Sequence, residues 1–148
     1  AQAIQTQVSS VTSTFTLFLA AIAGITLFVG AIGISNTMFT SVMERTRQIG
    51  ILKSLGATDG EIMRIFITEA GLIGLFGGIL GALLGVSVAG LISELGVRIG
   101  FQGAFTTAVS LELVIFSVLF SVIVGALSGF FPARRAANMQ PVEALRYE

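Results

Sequence analysis

The sequence predicts an all-α fold: an integral membrane helical bundle of three transmembrane helices, with the N-terminus outside the cytoplasm and the C-terminus inside. Two features of the composition predict it, since 54% of the 148 residues are hydrophobic and only 11% are charged. A soluble domain of this size leaves too much surface in water to hide that apolar content. The third observation is the placement of the charges, which leaves three long runs almost free of them.

The three runs are residues 15–39, 70–92 and 111–131, and each is predicted to be a transmembrane helix. A helix needs about 20 apolar residues to cross the hydrocarbon core of a bilayer. Glu112, at the start of the third run, is the only charged residue in them. Lipid cannot satisfy free backbone groups and the runs lack the alternation of a barrel, so helices are the expected conformation.

The basic residues decide the predicted orientation. Four lie between the first two runs and three follow the third, whereas only Arg98 lies between the second and third. Because basic residues accumulate in cytoplasmic segments, we expect residues 40–69 and 132–148 in the cytoplasm, and residues 1–14 and 93–110 outside. The basic residues of the two cytoplasmic segments are Arg45, Arg47, Lys53, Arg64, Arg134, Arg135 and Arg146.

Residues 1–14 form a polar preface, rich in Gln, Ser and Thr, to the first run. Val8, Val11, Phe15 and Phe18 recur at helical spacing, so the helix is predicted to begin outside the membrane as a stalk. A frayed, disordered end is the alternative. No basic residue precedes the apolar run, which argues against a signal peptide, and we expect the chain to be cut from a longer polypeptide.

The cytoplasmic segment after the first run contains a short helical piece between two predicted breaks. Gly50 and Gly56 are the expected break points, and the first helix is expected to continue as far as Gly50. Thr58 and Glu61 have the spacing of a capping box, so the second long helix is predicted to open there.

The third run is followed by a proline. Pro132 disfavours helix in the residue before it, so the third span is predicted to end at Phe131. A short helical segment is expected to start at Pro132 and a second at Pro141. Arg134 and Arg135 would then lie at the level of anionic lipid headgroups.

Glycines recur every four residues in the second and third runs. Gly77, Gly81 and Gly85 would share one face of the second helix, and Gly125 and Gly129 one face of the third. Small residues let membrane helices approach closely. We favour packing within the chain over a homodimer contact, and we expect Gly81→Leu to lower the thermal stability.

Several functional classes lack the residues that they need. The sequence has no Cys and no His, which excludes disulfides, thiolate chemistry and the usual zinc ligands. No glycine-rich stretch continues into the Lys-Ser or Lys-Thr of a nucleotide-binding loop, and no carboxylate pair in the runs marks an ion path. We therefore expect no catalytic residue, cofactor, metal or nucleic-acid partner. We expect the lipid bilayer to surround the helices.

Two motifs resemble those of FtsX/MacB-like ABC transporter permeases. In the run from Ser35 to Thr58, ERTRQIG and KSLGA are similar to the family's ERTREIG-type and K-x-LGA segments. The tail PARRAANMQPVEALRYE resembles the family's C-terminal signature, and together the motifs extend the resemblance over nearly the whole chain. The family's first span and large extracytoplasmic domain have no counterpart here. This implies a C-terminal fragment, a deletion variant or a naturally reduced permease.

The resemblance implies a permease subunit, not itself an enzyme, in the plasma or inner membrane of a prokaryote. It would pair as a homodimer and couple ATP hydrolysis by a separate cytoplasmic ATPase to mechanical work or export. The alternative is a non-transporting adaptor that recruits an ATPase to regulate an extracytoplasmic partner. The coupling segment, residues 43–57, would dock on the ATPase, although the residues alone fit a solvated loop equally well. Its predicted contact residues are Met43, Glu44, Arg45, Arg47, Gly50, Lys53, Leu55, Gly56 and Ala57.

Overall fold

The computed structural model describes residues 2–98 and 109–140, with side chains described for residues 5–95 and 109–140. These residues form no β-strand and four helices: α1 (Gln2–Glu44), α2 (Thr46–Ser54), α3 (Asp59–Arg98) and α4 (Leu111–Ala137). By length and composition α1, α3 and α4 are able to cross a membrane. The all-α prediction with three long apolar helices is confirmed. The second helical start expected at Pro141 lies outside the described residues.

The two longest helices exceed the thickness of a bilayer core. α1 has 43 residues and α3 has 40, which at 1.5 Å per residue makes them about 64 and about 60 Å long. The hydrocarbon core is about 30 Å thick. Each helix therefore extends well beyond the core, whereas α4, with 27 residues, is about 40 Å long.

The chain divides into two compact units, residues 1–33 and residues 34–148. In the first unit α1 begins at Gln2, and its side chains are exposed from residue 5 to residue 30. From Gln2 onward the polar preface is therefore helical rather than frayed. Its role as a stalk stays a prediction.

Hydroxyl groups in the first unit bond to their own helix. Ser9, Thr12, Thr14, Thr16 and Thr26 each donate at 2.9 Å to a backbone carbonyl three or four residues earlier. Such local bonds satisfy a hydroxyl where neither water nor a partner helix is near. The serine and threonine content of α1 is thus compatible with a helix that passes from water into lipid.

The second unit has its apolar core at one end, where the last turns of α1, helix α2, the start of α3 and the end of α4 meet. Farther along α3 and α4 most large apolar side chains are exposed, as expected for surfaces that face lipid tails. The core therefore fixes α2 against the ends of the three long helices. Its buried residues are Met38, Val42, Ile49, Ile62, Phe66, Ala70, Ala133, Ala136 and Ala137.

The break before α2 lies at Arg45, so the prediction of a break at Gly50 is wrong. α1 ends at Glu44, and Gly50 lies inside α2, where it is buried together with Ile49. A glycine costs about 1 kcal/mol in a helix interior, and the burial of this face of α2 offsets that cost. The break predicted at Gly56 is confirmed, because α2 ends just before it.

The predicted capping box at the start of α3 is confirmed. The Thr58 backbone N–H and hydroxyl donate to Oε2 of Glu61 at 2.8 and 2.9 Å. The Glu61 N–H donates back to the Thr58 hydroxyl at 3.3 Å. These bonds satisfy backbone donors that the first helical turn leaves without partners, and α3 accordingly begins at Asp59.

Helix α4 continues through its proline, so the prediction that it ends at Phe131 is wrong. It runs through Pro132 to Ala137. Proline removes a helical hydrogen bond and strains the preceding turn. Here Pro132 is fully buried, and Ala133 and Ala136 beyond it are buried as well. The packing of this end on the core compensates for the missing bond.

Candidate functional site

Helix α2 forms most of the coupling segment, residues 43–57, and packs one face on the core. Ile49 and Gly50 lie on that buried face. Glu44 and Arg45 precede the helix and are exposed. Most of the segment is therefore an ordered helix with an inner and an outer face. It differs in this from a plain solvated loop, the alternative interpretation of the sequence.

The end of α2 has a cap that depends on glycine. The Ala57 N–H donates to the Leu52 carbonyl and the Gly56 N–H to the Lys53 carbonyl, each at 3.0 Å. These are the two bonds of a Schellman motif. Gly56 has φ 101°, a left-handed backbone conformation that residues with a side chain rarely adopt. Leu55, just before it, is 81% exposed.

Arg45 joins the break before α2 to α3 through an ion pair. Its Nη1 lies 3.3 Å from Oε2 of Glu69, and the two side chains are 48% and 32% exposed. Water screens such a pair, which contributes about 0–1 kcal/mol. Arg45 is thus engaged within the chain while part of its guanidinium stays accessible.

Lys53 connects α2 to two other helices. Its Nζ lies 2.7 Å from Oδ1 of Asp59 at the start of α3, and it also donates to the Ala137 carbonyl at the end of α4. The C-terminal end of a helix carries partial negative charge, which favours a cation there. The Lys53 side chain is only 10% exposed, whereas Arg45 and Arg47 are exposed.

The outer face of the coupling segment combines an exposed cation with exposed apolar side chains. Arg47 is exposed, and no salt bridge joins it to another residue whose side chain the structure describes. Met43, Leu52 and Leu55 are exposed large apolar residues of the same segment. Exposed large apolar side chains near an exposed cation are compatible with a protein-binding surface.

A cleft of 610 Å³ opens where α2 passes into α3. Leu55 and Gly56 line it from the end of α2, and Glu61 and Arg64 line it from the first turns of α3. Ala57, also in its lining, is partly buried against the core. The cleft thus offers apolar contact next to both signs of charge.

Residues 11–141 match the protein family described as FtsX-like permease C-terminal. The match covers most of the chain and includes the coupling segment, α3 and α4. The chain belongs to this family. The resemblance found in the two sequence motifs is therefore confirmed.

Three relatives of this FtsX-like permease domain are much longer proteins. The uncharacterized ABC transporter permease MJ1507 of Methanocaldococcus jannaschii is 45% identical over all of this chain and 37% of its own length. The uncharacterized ABC transporter permease YknZ of Bacillus subtilis is 42% identical over 95% of this chain and 34% of its own length. The macrolide export ATP-binding/permease protein MacB of a Shewanella species is 40% identical over 99% of this chain and 22% of its own length.

The FtsX-like permease domain packs α3 on α4 through glycines. A side-chain carbon on Gly125 would lie 2.7 Å from the Ala70 carbonyl oxygen and 3.0 Å from Cα of Gly74. A side-chain carbon on Gly129 would collide with Cβ of Ala70. Gly125 and Gly129, singled out in the sequence, therefore lie in the close contact between α3 and α4.

The other three predicted packing glycines lie on a different face of α3. Gly77, Gly81 and Gly85 are exposed, and no side-chain position on them comes within 4 Å of the described neighbouring atoms. The contact with α4 uses Gly74 and Gly78, a second pair four residues apart. The packing of the exposed face, predicted to lie within the chain with a homodimer contact as the alternative, stays a prediction.

Three partners at the site were missed by sequence reasoning: Asp59, Glu69 and the carbonyl of Ala137. Asp59 follows Lys53 by six residues across the Schellman turn, and opposite charges on either side of a short turn were the available signal. Glu69 is 24 residues from Arg45, and only the packing of the helices brings the two together. No sequence pattern marks a backbone carbonyl as the acceptor of a lysine.

Proposed function

We propose that the chain is the C-terminal membrane part of an ABC transporter permease of the FtsX/MacB type, which couples ATP hydrolysis by a separate cytoplasmic ATPase to mechanical work or export. The observation that carries the proposal is the coupling segment. Its helix α2 is held on the core by its inner face and presents Arg47, Leu52 and Leu55 outward. A helix held in this way transmits a push from a bound protein to the helices beneath it.

The proposal requires the coupling segment to face the cytoplasm. Arg45 and Lys53 lie at the same end of the second unit as Arg135, whose guanidinium carbon is 5.8 Å from the centre of the Phe39 ring. Both basic clusters of the sequence thus meet at one end of the bundle. The positive-inside rule then supports an N-out, C-in orientation, and the archaeal and bacterial relatives support the plasma or inner membrane of a prokaryote.

Helix α1 supplies a route for motion toward the outside. It is one uninterrupted helix from Gln2 to Glu44, where it reaches the coupling segment. A helix carries an axial displacement with less loss than a flexible loop would cause, so the proposal requires the parts of α1 before and after residue 33 to move together. In the proposed mechanism residues 1–14 act as a stalk that passes the motion to whatever lies outside the membrane.

ATP hydrolysis is assigned to a partner domain or subunit, and the chain itself needs no cofactor in this role. The name of the Shewanella relative joins an ATP-binding part to a permease, whereas those of the other two relatives describe a permease. A permease homodimer would give the exposed face of Gly77, Gly81 and Gly85 a partner helix. That contact is part of the proposal.

The test is retention of the ATPase by the permease that carries this chain. Arg47→Glu reverses the exposed charge of α2 and is expected to weaken ATPase binding by at least about tenfold, or about 1.4 kcal/mol. Arg134→Glu makes the same change at an exposed position of α4 outside the coupling segment, and should retain the ATPase. Equal retention by Arg47→Glu and the parent would contradict docking through the coupling segment.

One observation favours the adaptor as a second candidate. The side chains described for residues 5–95 and 109–140 include no buried polar or charged group, so the described helices enclose no polar site that would hold a hydrophilic cargo. An adaptor that recruits an ATPase to regulate an extracytoplasmic partner would need none. Movement of substrate into vesicles that contain the permease and its ATPase distinguishes the two, since an adaptor gives ATP hydrolysis without transport.

A further inference from the structure

The structure sets Lys53 apart from the other basic residues of the coupling segment. Its side chain is 10% exposed, so atoms of the chain itself cover most of it. Arg47, six residues earlier in the same helix, is exposed. A cation that points inward has little surface to offer an ATPase, and its contacts are with neighbouring helices instead.

The end of α4 provides the acceptor that Lys53 uses. Carbonyl groups in the last turn of a helix have no donor within the helix and carry partial negative charge. The backbone bonds that close α4 use the carbonyls of Arg134 and Ala136. Among the described residues, the Ala137 carbonyl receives its hydrogen bond from Nζ of Lys53. One bond therefore completes the end of α4 and ties α2 to it.

The link from Lys53 to α3 is more exposed than the link to α4. The Asp59 carboxylate, 2.7 Å from Nζ, belongs to a side chain that is 67% exposed. Water competes for such a carboxylate and weakens its ion pair. The Ala137 carbonyl bond is part-buried, so it is the contact that loss of the Lys53 ammonium would disturb most.

We propose that Lys53 is a positioning residue that fastens α2 to the C-terminal end of α4, so that displacement of α2 moves α4 with it. α4 is locked in turn to α3, because Gly74 and Gly125 bring the two backbones together. The displacement would then be shared by the α3–α4 pair. Only the source of the displacement, a docked ATPase, rests on the proposed function.

The experiment measures the distance between α2 and α4 with spin labels. The sequence contains no Cys, so Gln48→Cys and Arg134→Cys, both at exposed positions, place one label on each helix. The assembled permease and ATPase are compared without nucleotide and in an ATP-trapped state. With Lys53 present, the distance distribution should be narrow and the same in both states.

Lys53→Met removes the ammonium while keeping an unbranched chain of similar length. It should broaden the distribution at least twofold and make it differ between the two states. Asp59→Asn, which removes only the exposed ion pair, should broaden it less. Lys53→Arg, which keeps the charge and the donors, should restore most of the narrow distribution.

Two results would overturn the proposal. A Lys53→Met distribution as narrow as the parent's would show that α2 is held without Lys53, and equal broadening by Asp59→Asn would assign the tether to the ion pair. Should Lys53→Met not fold, Lys53→Arg and Asp59→Asn decide between the two contacts. If the parent fails to retain the ATPase, the proposed function fails, and the distances measured without nucleotide still decide whether Lys53 holds α2 to α4.

Discussion

The hydroxyl of Ser121 on α4 donates a hydrogen bond of 2.8 Å to the backbone carbonyl of Gly74 on α3. A side chain at position 74 would prevent this approach, since its first carbon would lie 2.5 Å from the Ser121 carbonyl oxygen. The absence of a side chain at one residue thus permits the polar bond made by the other. Close backbone approach and an interhelical hydrogen bond are two of the interactions that associate helices in lipid.

The first prediction concerns that hydrogen bond. Ser121→Ala is expected to lower the free energy of unfolding in detergent by about 0.6 kcal/mol, the average for interhelical bonds in membrane proteins. Ser117→Ala is the matched control, because its hydroxyl bonds only to the Val114 carbonyl of its own helix at 2.8 Å. Thermal or denaturant unfolding of both variants measures the difference. An equal decrease in the unfolding free energy of the two variants would mean that the hydrogen bond from Ser121 to Gly74 adds no stability.

The second prediction separates the two glycine faces of α3. Gly125→Ala is expected to lower the free energy of unfolding by about 1–3 kcal/mol, because its new methyl group meets backbone atoms of α3 that cannot move aside. Gly81→Leu is now expected to leave the unfolding of the isolated chain nearly unchanged, since no described neighbouring atom lies within 4 Å of a side-chain position there. The melting temperature in detergent checks both.

The same Gly81→Leu variant also tests the proposed homodimer. If the face of Gly77 and Gly81 forms a permease contact, Leu at position 81 should shift the permease toward monomers without changing its melting temperature at low concentration. Crosslinking and mass measurement in detergent report the assembly state. A dimer population equal to that of the parent would exclude this face as the contact.

The third prediction concerns the cap of α2. Gly56→Ala forces a side chain into a left-handed conformation and is expected to cost about 1–2 kcal/mol. Gly60→Ala is the control: it lies in the first turn of α3, has no neighbouring atom within 4 Å of its side-chain position, and should be neutral or slightly stabilising. Hydrogen exchange of the amides in α2, measured with the unfolding free energy, locates the effect. Faster exchange in α2 for the Gly60 variant alone would contradict the assignment.

The fourth prediction concerns the capping box. Thr58→Ala removes the hydroxyl that accepts from the Glu61 N–H and donates to its carboxylate, and is expected to cost about 1 kcal/mol. Thr68→Ala, deeper in α3, removes a hydroxyl bonded only to the Arg64 carbonyl at 2.7 Å and should cost less. The difference in unfolding free energy between the two variants measures the cap. If Thr68→Ala lowers the unfolding free energy as much as Thr58→Ala does, the capping box adds no stability of its own.

The apolar helices and the capping box were predictable because each is encoded within one segment. Length and hydropathy identify α1, α3 and α4, and the spacing of Thr58 and Glu61 identifies the start of α3. The course of α4 through Pro132 and of α2 through Gly50 was not predictable in this way. Both residues are unfavourable in an isolated helix, and both are buried, so the tertiary core outweighs the local preference.

The position of the candidate site along the chain was predictable and its contacts were not, while its role in coupling stays a prediction. The motif placed the coupling segment, and the structure makes it a helix with Arg47 outward. The motif could not specify which basic residue points inward, because the hydrogen-bond acceptors of Arg45 and Lys53 lie on other helices. The glycine pattern singled out Gly77, Gly81 and Gly85, whereas α4 packs on the face of Gly74 and Gly78, where the Ser121 hydroxyl donates to the Gly74 carbonyl.

The position of the apolar core has a consequence for unfolding experiments. Buried side chains such as Met38 and Ile62 lie at the basic end of the bundle, where urea dissolved in water reaches them, whereas the spans beyond are stabilised by their lipid or detergent surroundings. Urea should therefore unfold the α2 end first, while the long helices stay helical in the micelle. Circular dichroism and a probe on α2 would then report different midpoints, so the unfolding free energy of each variant has to be taken from the transition of the end that carries the changed residue.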